Sequence, residues 1–181
     1  MFQAPVLLPW RTVSDNILLP TEIFGIDHKQ AVERARELVE LVGLQGFEDK
    51  YPWELSGGMQ QRAALARLLV PEPEILLMDE PFAALDEFTR ERLNVELTSL
   101  HESLDRSVLY VTHNIQEAVF LSDRVVVMRS HPGEIIDVVD VDLPRPRRLD
   151  LLTDDRTAEL VRHIRGLLFA VDDPIEEVRN G

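Results

Sequence analysis

The chain contains no cysteine, which excludes disulfides, thiolate metal sites and cysteine nucleophiles. Long apolar runs are missing as well. Stretches such as Ile75 to Met78 and Val125 to Met128 fall far short of the roughly 18 residues that would span a bilayer. Met1-Phe2-Gln3-Ala4-Pro5 has no basic segment followed by an apolar one, so it does not read as a secretory signal. Positive charge is scarce too. Lys and Arg total 19 against 33 Asp and Glu, and the formal net charge of -14 repels phosphate backbones and argues against nucleic-acid binding. Any phosphate site must therefore be local. What is present is ordinary globular composition: 45% hydrophobic and 29% charged over 181 residues, enough for one domain with a buried core.

The first 25 residues hold three of the eleven prolines and read as a loop leading into a short helix near Val13 to Phe24. From His28 to Val42, Ala31, Val32, Ala35, Leu38, Val39 and Val42 recur at helical spacing, and Gly43 can end the run. A second helical pattern covers Met59 to Val70, with Ser56 or its neighbours as the cap. Glu74 to Met78, bounded by prolines, reads as a strand buried on both faces. Ser107 to Thr112 and Arg124 to Met128 read as two more strands. Helices are expected near Phe88 to Ser103 and Asn114 to Leu121 between them. That alternation predicts an α/β fold with helices covering a mostly parallel sheet. His131-Pro132-Gly133 marks a hairpin turn and Pro144-Arg145-Pro146-Arg147-Arg148 a linker. A last amphipathic helix carries Leu160, Val161, Ile164, Leu167 and Leu168, with Asp172-Asp173-Pro174 ending it.

Four short segments carry chemistry. In Leu55-Ser56-Gly57-Gly58-Met59-Gln60-Gln61, a hydroxyl and two side-chain-free residues open a helix whose first amides lack intrahelical partners. Such a tip attracts an anion, and glycine lets a phosphate approach the backbone. The same residues also suit a plain capped helix after a flexible turn. Asp79-Glu80 stands at the C-terminal end of the first strand, the edge where open α/β sheets bind ligands. Neighbouring residues on a strand point opposite ways, so Asp79 suits a hydrated Mg2+ and Glu80 an attacking water; a solvated turn is the alternative. His113 ends the next strand, where it is either a surface residue or a third member of that edge. Asp86, in Ala84-Leu85-Asp86, is either a ligand contact or the cap of the following helix.

Taken in order, these segments resemble the nucleotide-binding subunits of ABC transporters, from Gln3 to about Val139. Leu55 to Gln61 resembles the signature motif, and Ile75 to Pro81 the Walker B strand with its catalytic glutamate. Ala84-Leu85-Asp86 is similar to the D-loop, His113 to the switch histidine and Phe2-Gln3 to the end of the Q-loop strand. The resemblance implies a P-loop NTPase fold of the ABC type with a helical signature subdomain at about 12–70. A partial ATPase domain would occupy 1–143, and a linker with a C-terminal helix 144–181. It implies ATP and Mg2+ as cofactors, bound between two ATPase subunits. Ser56, Gly57, Gly58, Gln60 and Asp86 would contact nucleotide, Gln3 would contact both nucleotide and metal, and Asp79 would hold the metal. Glu80 and His113 would be catalytic. Further partners would be the permease subunits and, through them, a solute-binding protein outside the cell, which places the chain on the cytoplasmic face of the membrane. Leu7 to Asn16 and Glu117 to Arg124 resemble importers of nitrate, sulfonates or taurine.

One departure stands out. None of the eight glycines begins the Gly-x-x-x-x-Gly-Lys-Ser/Thr run of a Walker A loop, whose amides and lysine cradle the β- and γ-phosphates. The expectation is therefore a chain truncated before the Q-loop, without the Walker A strand. Such a chain would be poorly soluble, would leave an edge of Ile75 to Met78 unpaired, and would bind Mg-ATP weakly or not at all. It also keeps open a catalytically incomplete partner, or a gene fragment, lending Ser56 to Gly58 to another subunit. Lesser departures are Ala83 and Asn114, where glycine and aspartate are common.

Overall fold

The computed structural model describes residues 1, 3–83, 85–104, 106–130 and 133–172. Phe2, Ala84, His131, Pro132 and Asp173-Pro174, which entered the sequence reading, lie outside the described residues. Helix α1 (Val13–Phe24) is capped by Thr12, whose hydroxyl accepts from the Asp15 amide at 3.2 Å; Gly25, at φ 66°, ends it in the left-handed region. Helix α2 (His28–Leu41) is capped by Asp27 and buries Ala31, Ala35, Leu38 and Val39 along one stripe. Helix α3 (Gly57–Leu69) packs on both. Ile17, Leu38 and Leu44 are fully buried where these helices meet. Each such side chain contributes about 1.5–3 kcal/mol by leaving water.

The same core runs into strand β1 (Ile75–Asp79) through Leu76 and Met78, and into helix α4 (Glu87–Leu104) through Leu93 and Leu97. Strand β2 (Ser107–Val111) pairs with β1 in parallel, with Leu77 opposite Leu109 and Asp79 opposite Val111. Helix α5 (Ile115–Leu121) follows, then strands β3 (Arg124–Arg129) and β4 (Glu134–Asp140) as an antiparallel pair with a bulge at Val127/Met128. The expected hairpin between them is thus present as a strand pair. Helix α6 (Asp155–Asp172) packs on α5 and β3.

Two expectations change. β1 is buried on one face only: Leu76 and Met78 point into the core, while Ile75 and Leu77 are 60% and 59% exposed. The side chains of Leu109 and Val111 lie open beside them, because α3 and α4 cover one side of the pair and no described element covers the other. Second, the strand at Arg124 does not extend the parallel sheet; β1–β2 and β3–β4 form separate two-stranded sheets among the described residues. Both strands of the β1–β2 pair are edges among the described residues, and on the outer side of β1 the Asp79 amide donates to the Met1 carbonyl at 2.9 Å. The division expected after residue 143 meets a continuous core, since Val141 and Leu143 pack with Val161 and Ile164 of α6. Arg147 lies buried in the expected linker and donates to the Ser122 carbonyl at 3.0 Å; burial lowers its pKa.

Candidate functional site: a helix tip and a strand-end acid

Ser56 sits in extended backbone immediately before α3, and its Oγ accepts from the Met59 amide at 3.3 Å. That leaves the first-turn amides of Gly57 and Gly58 without intrahelical acceptors. The run into the tip is fastened from behind: the Gln60 side-chain amide donates to the Pro52 carbonyl at 2.9 Å and the Leu55 carbonyl at 3.4 Å. The Gln60 side chain therefore steadies the turn that presents Ser56. Gly58 is needed for close approach, because a Cβ there would lie 2.9 Å from Cγ2 of Thr89 on α4.

Between the α3 tip and α4 opens a cleft of about 420 Å³ whose walls include Ser56, Gly57, Gly58, Leu85, Asp86 and Thr89. Asp86 caps α4: its Oδ1 accepts from the Thr89 amide at 3.0 Å and its Oδ2 from the Thr89 hydroxyl at 2.7 Å. These bonds, the amide first, hold the Asp86 carboxyl below the usual carboxylate range. Asp86 is thus both cap and cleft wall.

The second group forms at the ends of β1 and β2. Glu80 has φ 42°, a left-handed conformation that costs a non-glycine residue about 1–3 kcal/mol. It is held there by its amide, which donates to the Val111 carbonyl at 2.8 Å, and its Oε1 lies 2.9 Å from Nδ1 of His113. The parallel pairing of β1 with β2 places these two side chains side by side. Asp79 precedes Glu80 and is exposed. Gln3 is fixed through its backbone, its carbonyl accepting from Nε2 of Gln61 at 2.8 Å. The side chains of Asp79 and Gln3 hydrogen-bond neither Glu80 nor His113 nor the cleft.

Six of the nine expected site residues fall into two sets on one chain, Ser56, Gly57, Gly58 and Asp86 around the cleft and Glu80 with His113 outside its walls, while Gln3, Gln60 and Asp79 belong to neither. No cluster of three metal-ligating side chains occurs among the described residues. A hard cation held by Asp79 would need water and phosphate oxygens for its other ligands, as Mg2+ usually does. Sequence reasoning missed three contributors. Gln61 and Arg67 of α3 grip the backbone at Gln3, Pro5 and Val6, and Glu117 anchors the turn beneath His113. Only a polar residue on the apolar stripe of a helix marks such positions in a sequence.

The sequence and fold match known proteins. The ABC transporter family model matches residues 1–83. An uncharacterized ABC transporter ATP-binding protein of Methanocaldococcus jannaschii is 47% identical over 97% of the chain. The taurine import ATP-binding protein TauB of Rhizobium johnstonii is 42% identical over 96%, and the aliphatic sulfonates import ATP-binding protein SsuB of Bacillus cereus 42% over 91%. The chain spans 63%, 68% and 62% of these relatives' lengths. Among solved structures, a dimeric ATP-binding cassette in a post-hydrolysis state with ADP and phosphate matches 79% of the chain and 63% of its own, with a TM-score of 0.65 and 33% identity. The fold is accordingly that of an ABC ATPase cassette, and the chain belongs to the ATP-binding subunits of ABC transporters.

Proposed function

We propose that this chain works as the ATP-hydrolysing subunit of an importer for small anions of the taurine, sulfonate or nitrate kind, with each nucleotide held between two ATPase subunits. The observation that carries the reading is the separation of the two half-sites: the Ser56–Gly58 tip opens into one cleft, whereas Glu80 and His113 meet outside it. A nucleotide touching both sets is then reached from two chains. The dimeric cassette bound to ADP and phosphate supports this, as do relatives named for taurine and sulfonate import. A permease and a solute-binding protein are the further partners of this reading, with the chain on the cytoplasmic face of the membrane. No described helix is long and apolar enough to cross that membrane.

ATP with Mg2+ supplies the transferable phosphoryl group. Towards it, the Ser56 hydroxyl and the Gly57 and Gly58 amides donate hydrogen bonds, aided by the positive end of α3. Asp79 would hold the hydrated cation and Gln3 would contact it, and Gln60 and Asp86 keep the two cleft walls in shape. Glu80 accepts a proton from the attacking water, and His113, braced on Glu80, donates to the γ-phosphate. Such catalysis is positioning and charge neutralisation with little covalent chemistry of the protein's own.

A second reading has one observation in its favour: no glycine of this chain opens a Walker A run. The chain then lends Ser56 to Gly58 to a partner's phosphate loop, and Glu80 and His113 are dispensable. Glu80→Gln decides between them, in a form of the protein that also carries a Walker A loop. It should trap an ATP-bound dimer with turnover abolished, and unchanged turnover removes Glu80 from the role of base.

A further inference from the structure

Glu117 is 7% exposed on α5, and its carboxylate accepts hydrogen bonds from neutral side chains, with Arg90 on the same pocket wall. Asn94 Nδ2 of α4 reaches its Oε1 at 3.2 Å, the Tyr110 hydroxyl of β2 reaches the same oxygen at 3.1 Å, and the Thr112 hydroxyl donates to Oε2. Burial, then the neighbouring Glu117, pushes the Tyr110 phenol well above its usual range, so it stays a donor. A buried carboxylate held by neutral hydrogen-bond donors is seldom the most stable choice for a core, and an apolar side chain of similar volume often does as well.

What the bonds accomplish is local. Thr112 Oγ1 donates to Glu117 and accepts from the Asn114 amide at 3.0 Å; Asn114 Oδ1 in turn accepts from the Glu117 amide at 3.1 Å. The three residues form a closed hydrogen-bonded ring around the turn from β2 to α5, and His113 is the residue inside that turn. The His113 side chain is 73% exposed, so little packing fixes its ring. Its 2.9 Å approach to Glu80 must be set by the backbone beneath it. Asn94 extends the ring to α4, the helix that Asp86 opens on the wall of the cleft.

We propose that Glu117 is a positioning residue for His113: through Thr112 and Asn114 it holds the strand-to-helix turn at the angle that brings the imidazole onto Glu80. The proposal rests on the reading of His113 as the group that meets the γ-phosphate, but its test needs no nucleotide. The readout is the through-space correlation between the labelled His113 Nδ1 and the Glu80 carboxyl carbon, recorded by solid-state NMR on the sedimented full chain. His113→Asn assigns the signal. Glu117→Met removes every acceptor at similar volume, and Thr112→Val removes one hydroxyl at nearly constant shape; each should lose the correlation while helix content is kept. Thr112→Ser, which restores the hydroxyl, should recover it. Should Glu117→Met not fold, the Thr112 pair decides alone. Persistence of the correlation in Thr112→Val, or its equal loss in Thr112→Ser, overturns the proposal. Unchanged turnover in the Glu80→Gln experiment would sink the catalytic reading and leave this result standing.

Discussion

Replacing Arg67 with methionine tests how the segment bearing Gln3 is held. The Arg67 guanidinium, on the half-buried side of α3, donates to the Pro5 carbonyl at 2.7 Å and the Val6 carbonyl at 2.9 Å. Burial lowers its pKa, which reports how far the group has left water. Val6 stands at φ 45°, a conformation that costs a β-branched residue about 1–3 kcal/mol and persists only where neighbours over-determine it. Hydrogen bonds to a charged donor contribute about 1.5–3 kcal/mol each. The bond to Val6 is exposed, so water replaces part of it in the variant, and Arg67→Met should lose about 2–3 kcal/mol net. Chemical denaturation measures that loss, and hydrogen exchange locates it, with amides at residues 3–8 exchanging faster than in the parent. Arg67→Lys should recover only part, because one ammonium cannot reproduce the planar fork that spans two carbonyls. A loss under about 0.5 kcal/mol with unchanged exchange at residues 3–8 would refute the clamp.

Gly58→Ala should destabilise by about 1–2 kcal/mol, because its Cβ meets Thr89 Cγ2 at 2.9 Å. Adding Thr89→Ser, which removes that methyl and keeps the hydroxyl bond to Asp86, should restore most of it, and simple additivity in the double-mutant cycle would contradict the contact. The Asp86 carboxyl is held below its ordinary value, so its contribution to stability is full above the unfolded carboxylate pKa of about 3.9 and fades as pH falls through the lower folded value. Asp86→Asn should therefore flatten the acid limb of Tm against pH, and parallel limbs would show that the Thr89 bonds carry no linkage. The open face of β1 and β2 should drive self-association, so Leu77→Lys or Leu109→Glu should lower light scattering without shifting the denaturation midpoint. Unchanged scattering would place the association elsewhere.

The helices were legible because each combines a 3.6-residue apolar stripe with a local stop or start. Thr12 and Gly25 bound α1, Asp27 caps α2, and Ser56 caps α3. The strands were legible as apolar runs between prolines and turns. Their partners were not: a run such as Val125 to Met128 suits a parallel or an antiparallel neighbour equally, and among the described residues it pairs with β4 alone. Burial on both faces was inferred for β1 from its unbroken apolar run, yet only Leu76 and Met78 lie in the core. In the site, the residue types and their order were readable, but the sequence left cap and contact open at Asp86, which caps α4 on the cleft wall. Contacts across 58 to 62 residues, from Gln61 to Gln3 and from Arg67 to Pro5, leave no local trace. Glu117 is a similar case, since a single acid in a short helix looks like solvated surface until its neighbours close around it.

In the proposed dimer, the serine at the tip of α3 grips a phosphate held by another chain. The most direct measurement of that grip is ATP turnover by a mixed dimer of this protein with an ABC ATPase subunit that has an intact Walker A loop and a disabled signature serine of its own. Ser56→Asp keeps a good helix cap but sets a negative charge against the phosphate. The parent chain should raise turnover and Ser56→Asp should cut it about tenfold or more, consistent with losing one charge-assisted bond of about 1.5–3 kcal/mol. Equal turnover with Ser56 and with Ser56→Asp would contradict it.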